Sequence, residues 1–101
     1  NTNLIPNLPN NSCVEVPCVV QKDELVPQVV PPLPIHLANL IQTNISVQQL
    51  TVEALKTRKK DSIYYAAMLD PHTAGELNLD QIWKMVDELI DAHGSMLPAF
   101  K

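Results

Sequence analysis

The sequence predicts an α+β chain, mostly helical, with an extended, proline-rich N-terminal third. Three observations predict it. Seven of the nine prolines fall within residues 1–34. Residues 13–20, CVEVPCVV, are β-branched and apolar, which favours strand. From Ile35 onward, apolar residues recur at helical spacing. The chain therefore divides into an extended and strand-forming segment, 1–34, and a helical segment, 35–101.

The elements follow in order. CVEVPCVV is the one strand expected, with Pro17, which lacks an N–H, pointing to an edge or a bulge. QKDEL interrupts it, and VPQVVPPLP resumes in extended form, so the strand has no expected partner within the chain. Pro31 to Pro34 form a stiff lead-in to a helix. That helix runs from Ile35 to Thr57. Leu37, Leu40, Ile41, Ile45, Val52 and Leu55 are its apolar set, and Val47, Leu50 and Ala54 widen the apolar arc to two faces. DSIYYAAMLD is a second helix, capped by Asp61 or Ser62, with Ile63, Ala66, Ala67 and Met68 inward. Pro71 stops it and opens a short turn through Leu77. The last helix is NLDQIWKMVDELIDAHG. Asn78 or Asp80 caps it, and Gly94 ends it. Ile82, Trp83, Val86, Leu89, Ile90 and His93 form its apolar stripe, expected as core or interface.

The totals exclude several classes. With 101 residues there is room for one small domain. No apolar run approaches the ~20 residues that span a bilayer, and the start NTNLIPNLPN does not read as a signal peptide. Without an initiator Met, the chain reads as a piece of a longer polypeptide. The formal charge is −4, so no broad basic surface for nucleic acid is expected. The run KTRKK, Lys56 to Lys60, suits a helix C-terminus, with phosphate contact as the other reading. Two cysteines are too few for a disulfide scaffold, which favours a cytoplasmic setting.

The residues that could carry chemistry do not converge. Cys13 and Cys18 are five apart, so on one strand they would face opposite ways, and both are expected as small buried side chains. His36, His72 and His93 share no metal-ligand spacing. Asp70 and His72 could exchange a proton, but no nucleophile accompanies them, so a structural or interface role is expected. Two glycines, Gly75 and Gly94, cannot make a dinucleotide loop. No catalytic, cofactor-binding or metal-binding residue is therefore assigned. One polar pair stands out. Asn44 and Gln48 lie in line with Leu37, Ile41, Val52 and Leu55 on the long helix. Two amides on an apolar face need partners. They are either buried in a structural network or facing a cleft formed with residues outside the chain.

Three blocks in this order, NLPNNSCVEVPC, LPIHLANLIQTNISVQQLTVEA and YYAAMLDPHTAGELNLDQIWKMVDELIDAHGSMLP, resemble the C-terminal part of glycoside hydrolase family 4. Within it they look most like the α-galactosidase (melibiase) group and its α-glucosidase and α-glucuronidase relatives. The resemblance implies a Rossmann domain binding NAD, followed by a lactate-dehydrogenase-like C-terminal domain to which both segments here belong. It implies redox-assisted elimination at a glycoside substrate, with NAD and Mn2+ held by upstream residues, and a homo-oligomer, dimer or tetramer. The segment itself is then scaffold, inert alone, with the remainder of its own polypeptide as partner. The competing reading is an autonomous helical protein-interaction module using KTRKK or the Trp83 stripe. The length of the intact gene product separates the two.

Overall fold

A computed structural model describes all 101 residues, Asn1–Lys101. The elements are β1 (Cys18–Gln21), β2 (Glu24–Pro27), α1 (Ile35–Thr57), α2 (Asp61–Leu69), α3 (Pro71–Glu76) and α4 (Leu79–His93), with a 3-10 turn at Gly94–Met96. They form two compact units, Asn1–Gln42 and Thr43–Lys101. The division falls inside α1, one continuous helix that begins at Ile35 as the proline lead-in predicts.

In the first unit, prolines remove backbone donors, and asparagine side chains close the turns instead. The Asn1 amide donates to the carbonyls of Ile5 at 3.0 Å, Leu8 at 2.9 Å and Pro9 at 3.2 Å, while its oxygen accepts from the Ile5 N–H at 3.0 Å. Asn7 clamps Leu33 twice. Its amide donates to the Leu33 carbonyl at 2.8 Å, and its oxygen accepts the Leu33 N–H at 2.9 Å. Ile5 and Leu8 are buried between these turns.

Residues 1–34 are thus not simply extended, and the lone-strand expectation is corrected. QKDEL does not merely interrupt a strand; it folds it back. β1 and β2 pair antiparallel, Val19 opposite Val26 and Val20 opposite Leu25, with Lys22–Asp23 at the turn. Lys22 takes φ 49°, a left-handed conformation uncommon for a side-chain-bearing residue. Without Gly or Asn there, the turn carried no usual hairpin signal. Pro27 sits at the end of its strand, where no ladder donor is lost. Cys13 precedes β1 and Cys18 opens it, so the two never share a strand. Both are exposed, not buried, because neither side of the hairpin is covered within the unit.

In the second unit, α2 and α4 pack together around Tyr64, Ala66, Ile82 and Val86, with Ile45 and Ala54 of α1 also buried. α4 starts on a reciprocal capping box. Asn78 accepts from the Gln81 N–H at 3.0 Å, and Gln81 accepts from the Asn78 N–H at 2.9 Å. α3 has Pro71 in its first turn and is capped by Asp70, which accepts from the Thr73 N–H at 2.8 Å. α2 departs from expectation. Its N-cap is Lys60, with no side-chain cap; Asp61 lies in the first turn and Ser62 is buried. Its inner side includes Tyr64, which the sequence reading had left out. Gly94 ends α4 at φ 48°. The tail then pairs with the α1–α2 junction. The Lys101 N–H donates to the Arg58 carbonyl at 2.7 Å, and the Lys60 N–H donates to the Lys101 carbonyl at 3.0 Å.

The α4 stripe is only partly core. Ile82 is 1% exposed and Val86 is buried, but Trp83 is 43% exposed, and Leu89 and His93 are exposed. One partner helix covers one side of α4, and Trp83 sits at the margin of that contact.

Candidate functional site

The most organised set of polar and aromatic groups lies across α2 and α4. Tyr64 and Met68 are one turn apart on α2, and Trp83 and Asp87 are one turn apart on α4, so each pair shares a face. The four interlock. Tyr64 and Trp83 stack with centroids 4.2 Å apart and planes at 13°. The Tyr64 hydroxyl donates to Asp87 Oδ1. Trp83 Nε1 lies 3.4 Å from Met68 Sδ as donor. This pairing makes α2 and α4 antiparallel. Lys60, about one turn before Tyr64, closes the set with Nζ 2.9 Å from the same Asp87 oxygen and 5.3 Å from the Tyr64 ring centroid.

The electrostatics follow from these contacts. The Tyr64 hydroxyl, and then the Lys60 ammonium, hold the Asp87 carboxyl below its ordinary range. Burial pushes the Tyr64 phenol up, and its bond to Asp87 adds to that. Hydrogen bonds to Tyr64 and Asp87 raise Lys60 above the usual lysine range. Each group is held in its ordinary charge state at neutral pH. Nothing here is poised near neutrality as a general acid or base must be, so the cluster joins helices rather than moving protons. Sequence reasoning missed Tyr64, Lys60 and Asp87 as a set. The two pairs at one-turn spacing were the available signal, but their contact across helices is not local.

The residues singled out from sequence do not come together. Asn44 and Gln48 are both exposed on α1, so neither is a buried amide within these 101 residues. The buried positions of α1 are Ala38, Ile45 and Ala54, and neither amide is among them. Asp70 is lowered chiefly by the Thr73 backbone bond, with His72 a minor contributor, so it acts as a helix cap. His93 Nδ1 donates to the Leu89 carbonyl at 2.6 Å. No three His, Cys, Asp or Glu side chains gather in a way that could hold a metal ion. A groove of about 340 Å³ in the second unit is lined by Ala54, Leu55, Ala66, Val86, Ile90 and Phe100 among others, apolar throughout that set. Large apolar side chains also stand exposed on the hairpin, at Val20 and Leu25, and along α1. No helix is long and apolar enough to cross a membrane.

The chain thus combines capped helices, exposed apolar side chains and a polar cluster whose members satisfy one another. The sequence matches the family 4 glycosyl hydrolase C-terminal domain over residues 1–73, and the chain belongs to that family. It is 50% identical over 101 residues to the α-galactosidase of Bacillus subtilis (strain 168), covering the whole of this chain and 23% of that protein. It is 29% identical over 99 residues to the α-galacturonidase of Lachnoclostridium phytofermentans, covering 97% of this chain and 21% of that protein. A crystal structure of a 6-phospho-α-glucosidase from gut microorganisms, in complex with NAD and glucose-6-phosphate, matches the fold with a TM-score of 0.87 at 25% identity, covering 100% of this chain and 23% of that one. The chain thus spans a little under a quarter of the length of these relatives.

Proposed function

We propose that this chain is the C-terminal scaffold part of an NAD- and Mn2+-dependent α-glycosidase, cytoplasmic and homo-oligomeric, acting on α-galactosides or related glycosides. The observation that carries the proposal is the 50% identity to the Bacillus subtilis α-galactosidase across all 101 residues. The names of the other relatives span uronides and phosphorylated sugars, while the fold match remains at 0.87. That contrast favours a segment that frames the enzyme and leaves sugar choice to other residues. The side chains here do not fit either cofactor: no metal-holding group forms, and Gly75 and Gly94 make no phosphate loop. NAD and Mn2+ therefore belong, in this proposal, to the remainder of the polypeptide, and no chemical step is routed through residues 1–101. The chain's own part is to complete a lactate-dehydrogenase-like domain. Asn44 and Gln48 present amides from α1, facing either a cleft or a neighbouring surface.

The test uses the full-length protein. Hydrolysis of an aryl α-galactoside is measured with NAD and Mn2+, and with each omitted. Turnover that needs both is expected. Turnover that needs neither, or no turnover on α-galactoside, α-galacturonide or 6-phospho-α-glucoside, overturns the proposal.

A further inference from the structure

The start of α2 is tied from outside its own helix. α2 has no side-chain cap, and Lys60 stands at its N-cap position. Lys60 is held instead through both main chain and side chain. Its N–H donates to the Lys101 carbonyl at 3.0 Å, its carbonyl accepts the Ile63 N–H at 2.9 Å, and its Nζ lies 2.9 Å from Asp87 Oδ1 on α4. Lys101 donates its own N–H to the Arg58 carbonyl at 2.7 Å, so residues 58–60 and the tail are joined in both directions. Arg58 closes α1 by donating its N–H to the Ala54 carbonyl at 2.8 Å, and it takes φ 62°. Glycine is the usual residue there, and a side-chain-bearing one keeps that conformation where its surroundings enforce it. Leu97 and Phe100 lie half-buried along the apolar groove lined by Ala54, Ala66 and Ile90, which leaves about 340 Å³ unfilled beside them.

We infer that residues 97–101 are a strap that opens and closes as one unit with the start of α2, with Phe100 as its apolar anchor and Lys60 as its link to α4. With the strap closed, as in this structure, the bonds from Lys101 to Arg58 and from Lys60 to Lys101 fix the Lys60 main chain and so aim its side chain at Asp87. With the strap open, the Arg58 carbonyl and the Lys60 N–H lose their partners together. Arg58 then leaves the left-handed region, and Lys60 loses its alignment with Asp87. Such an opening is expected where anchoring is thin. Leu97, Pro98, Ala99 and Phe100 have no side-chain hydrogen-bonding group. The Phe100 ring lies beside unfilled space, where it forgoes the contacts of a packed core. α4, by contrast, is secured by its own capping box at Asn78 and Gln81 and needs nothing from the strap. The inference stands on contacts within residues 54–101 and is independent of the glycosidase reading.

Hydrogen exchange on the full-length protein tests it, first without any variant. In the wild type, the N–H groups of Lys60 and Lys101 should exchange at a common rate, because one opening frees both. A Lys101 N–H that exchanges freely while that of Lys60 stays protected overturns the inference. Phe100→Ala weakens the anchor and should speed exchange at residues 60–64 by about tenfold, as loss of a half-buried ring implies. Exchange at Gln81 and Ile82, at the start of α4, should be unchanged. No change at residues 60–64 overturns the inference, and so does equal acceleration at Gln81 and Ile82, which marks general loosening. Carboxyl titration of Asp87 separates a strap that acts through Lys60 from one that only packs. Phe100→Ala should raise the Asp87 midpoint when Lys60 is present and leave it unmoved in Lys60→Met, where the link is already gone. Equal shifts in the two backgrounds overturn the inference, as does no shift in either.

Discussion

Tyr64 and Trp83 stack at 4.2 Å between ring centroids, with planes 13° apart, and this contact joins α2 to α4. The Trp83 ring is covered on one side by Tyr64 and remains 43% exposed. Its removal should therefore cost about 1–2 kcal/mol, from partial burial and loss of the aromatic pair. Ile82, at 1% exposure, should cost more, about 2–5 kcal/mol on truncation to Ala. Denaturant unfolding of the full-length protein compares Trp83→Ala with Ile82→Ala. Equal costs would show that the outer side of Trp83 is covered in the whole enzyme.

Tyr64→Phe removes one hydroxyl and keeps the ring. Asp87 then loses the larger of the two contacts that hold its carboxyl low. A lowered carboxylate stabilises the fold above its ordinary pKa, and that contribution is lost as pH falls through the folded value. In Tyr64→Phe the folded value should rise toward the ordinary one, so the acid destabilisation attributable to Asp87 should be smaller and complete at higher pH. The raised Tyr64 phenol works on the alkaline side. Its contribution is present below the ordinary tyrosine pKa and is lost as pH rises through the folded value. Carboxyl NMR titration of Asp87 in wild type and Tyr64→Phe checks the acid limb; an unchanged midpoint would refute the contact.

The two glycines should respond with opposite signs. A Cβ at either meets nothing within 4 Å, so backbone conformation decides. Gly94 has φ 48°, and Gly94→Ala should cost about 1–2 kcal/mol. Gly75 lies inside α3, and Gly75→Ala should stabilise by about 0.4–1 kcal/mol. Thermal unfolding of both variants reads the difference directly.

Asn78→Ala removes the side-chain acceptor of the α4 capping box, while the backbone N–H of residue 78 can still donate to Gln81, and should cost about 1 kcal/mol. Asn78→Asp preserves the acceptor and adds charge suited to a helix N-terminus, so it should recover most of that loss. Failure of Asp to rescue would show that the side-chain acceptor is not what holds the first turn.

How much was legible in the sequence follows the range of each interaction. α1 and the α4 cap were readable because the proline lead-in and the Asn78–Gln81 pair act within one turn of chain. The hairpin was not, because Lys22 takes a left-handed turn that its residue type rarely adopts. Tyr64 was passed over because its value lies in Trp83 and Asp87, about 20 residues away. The alignment of Asn44 and Gln48 was visible from spacing. Their burial was not, because spacing places residues on a face and says nothing of what covers it. The exposed cysteines teach the same lesson from the hairpin.

The central claim is that these 101 residues pack and do not bind the reacting groups. Calorimetric titration with NAD in the presence of Mn2+ tests it most directly, comparing the full-length protein with residues 1–101 alone. The account predicts saturable heat for the full-length protein and none for residues 1–101. Stoichiometric NAD binding by residues 1–101 would contradict it.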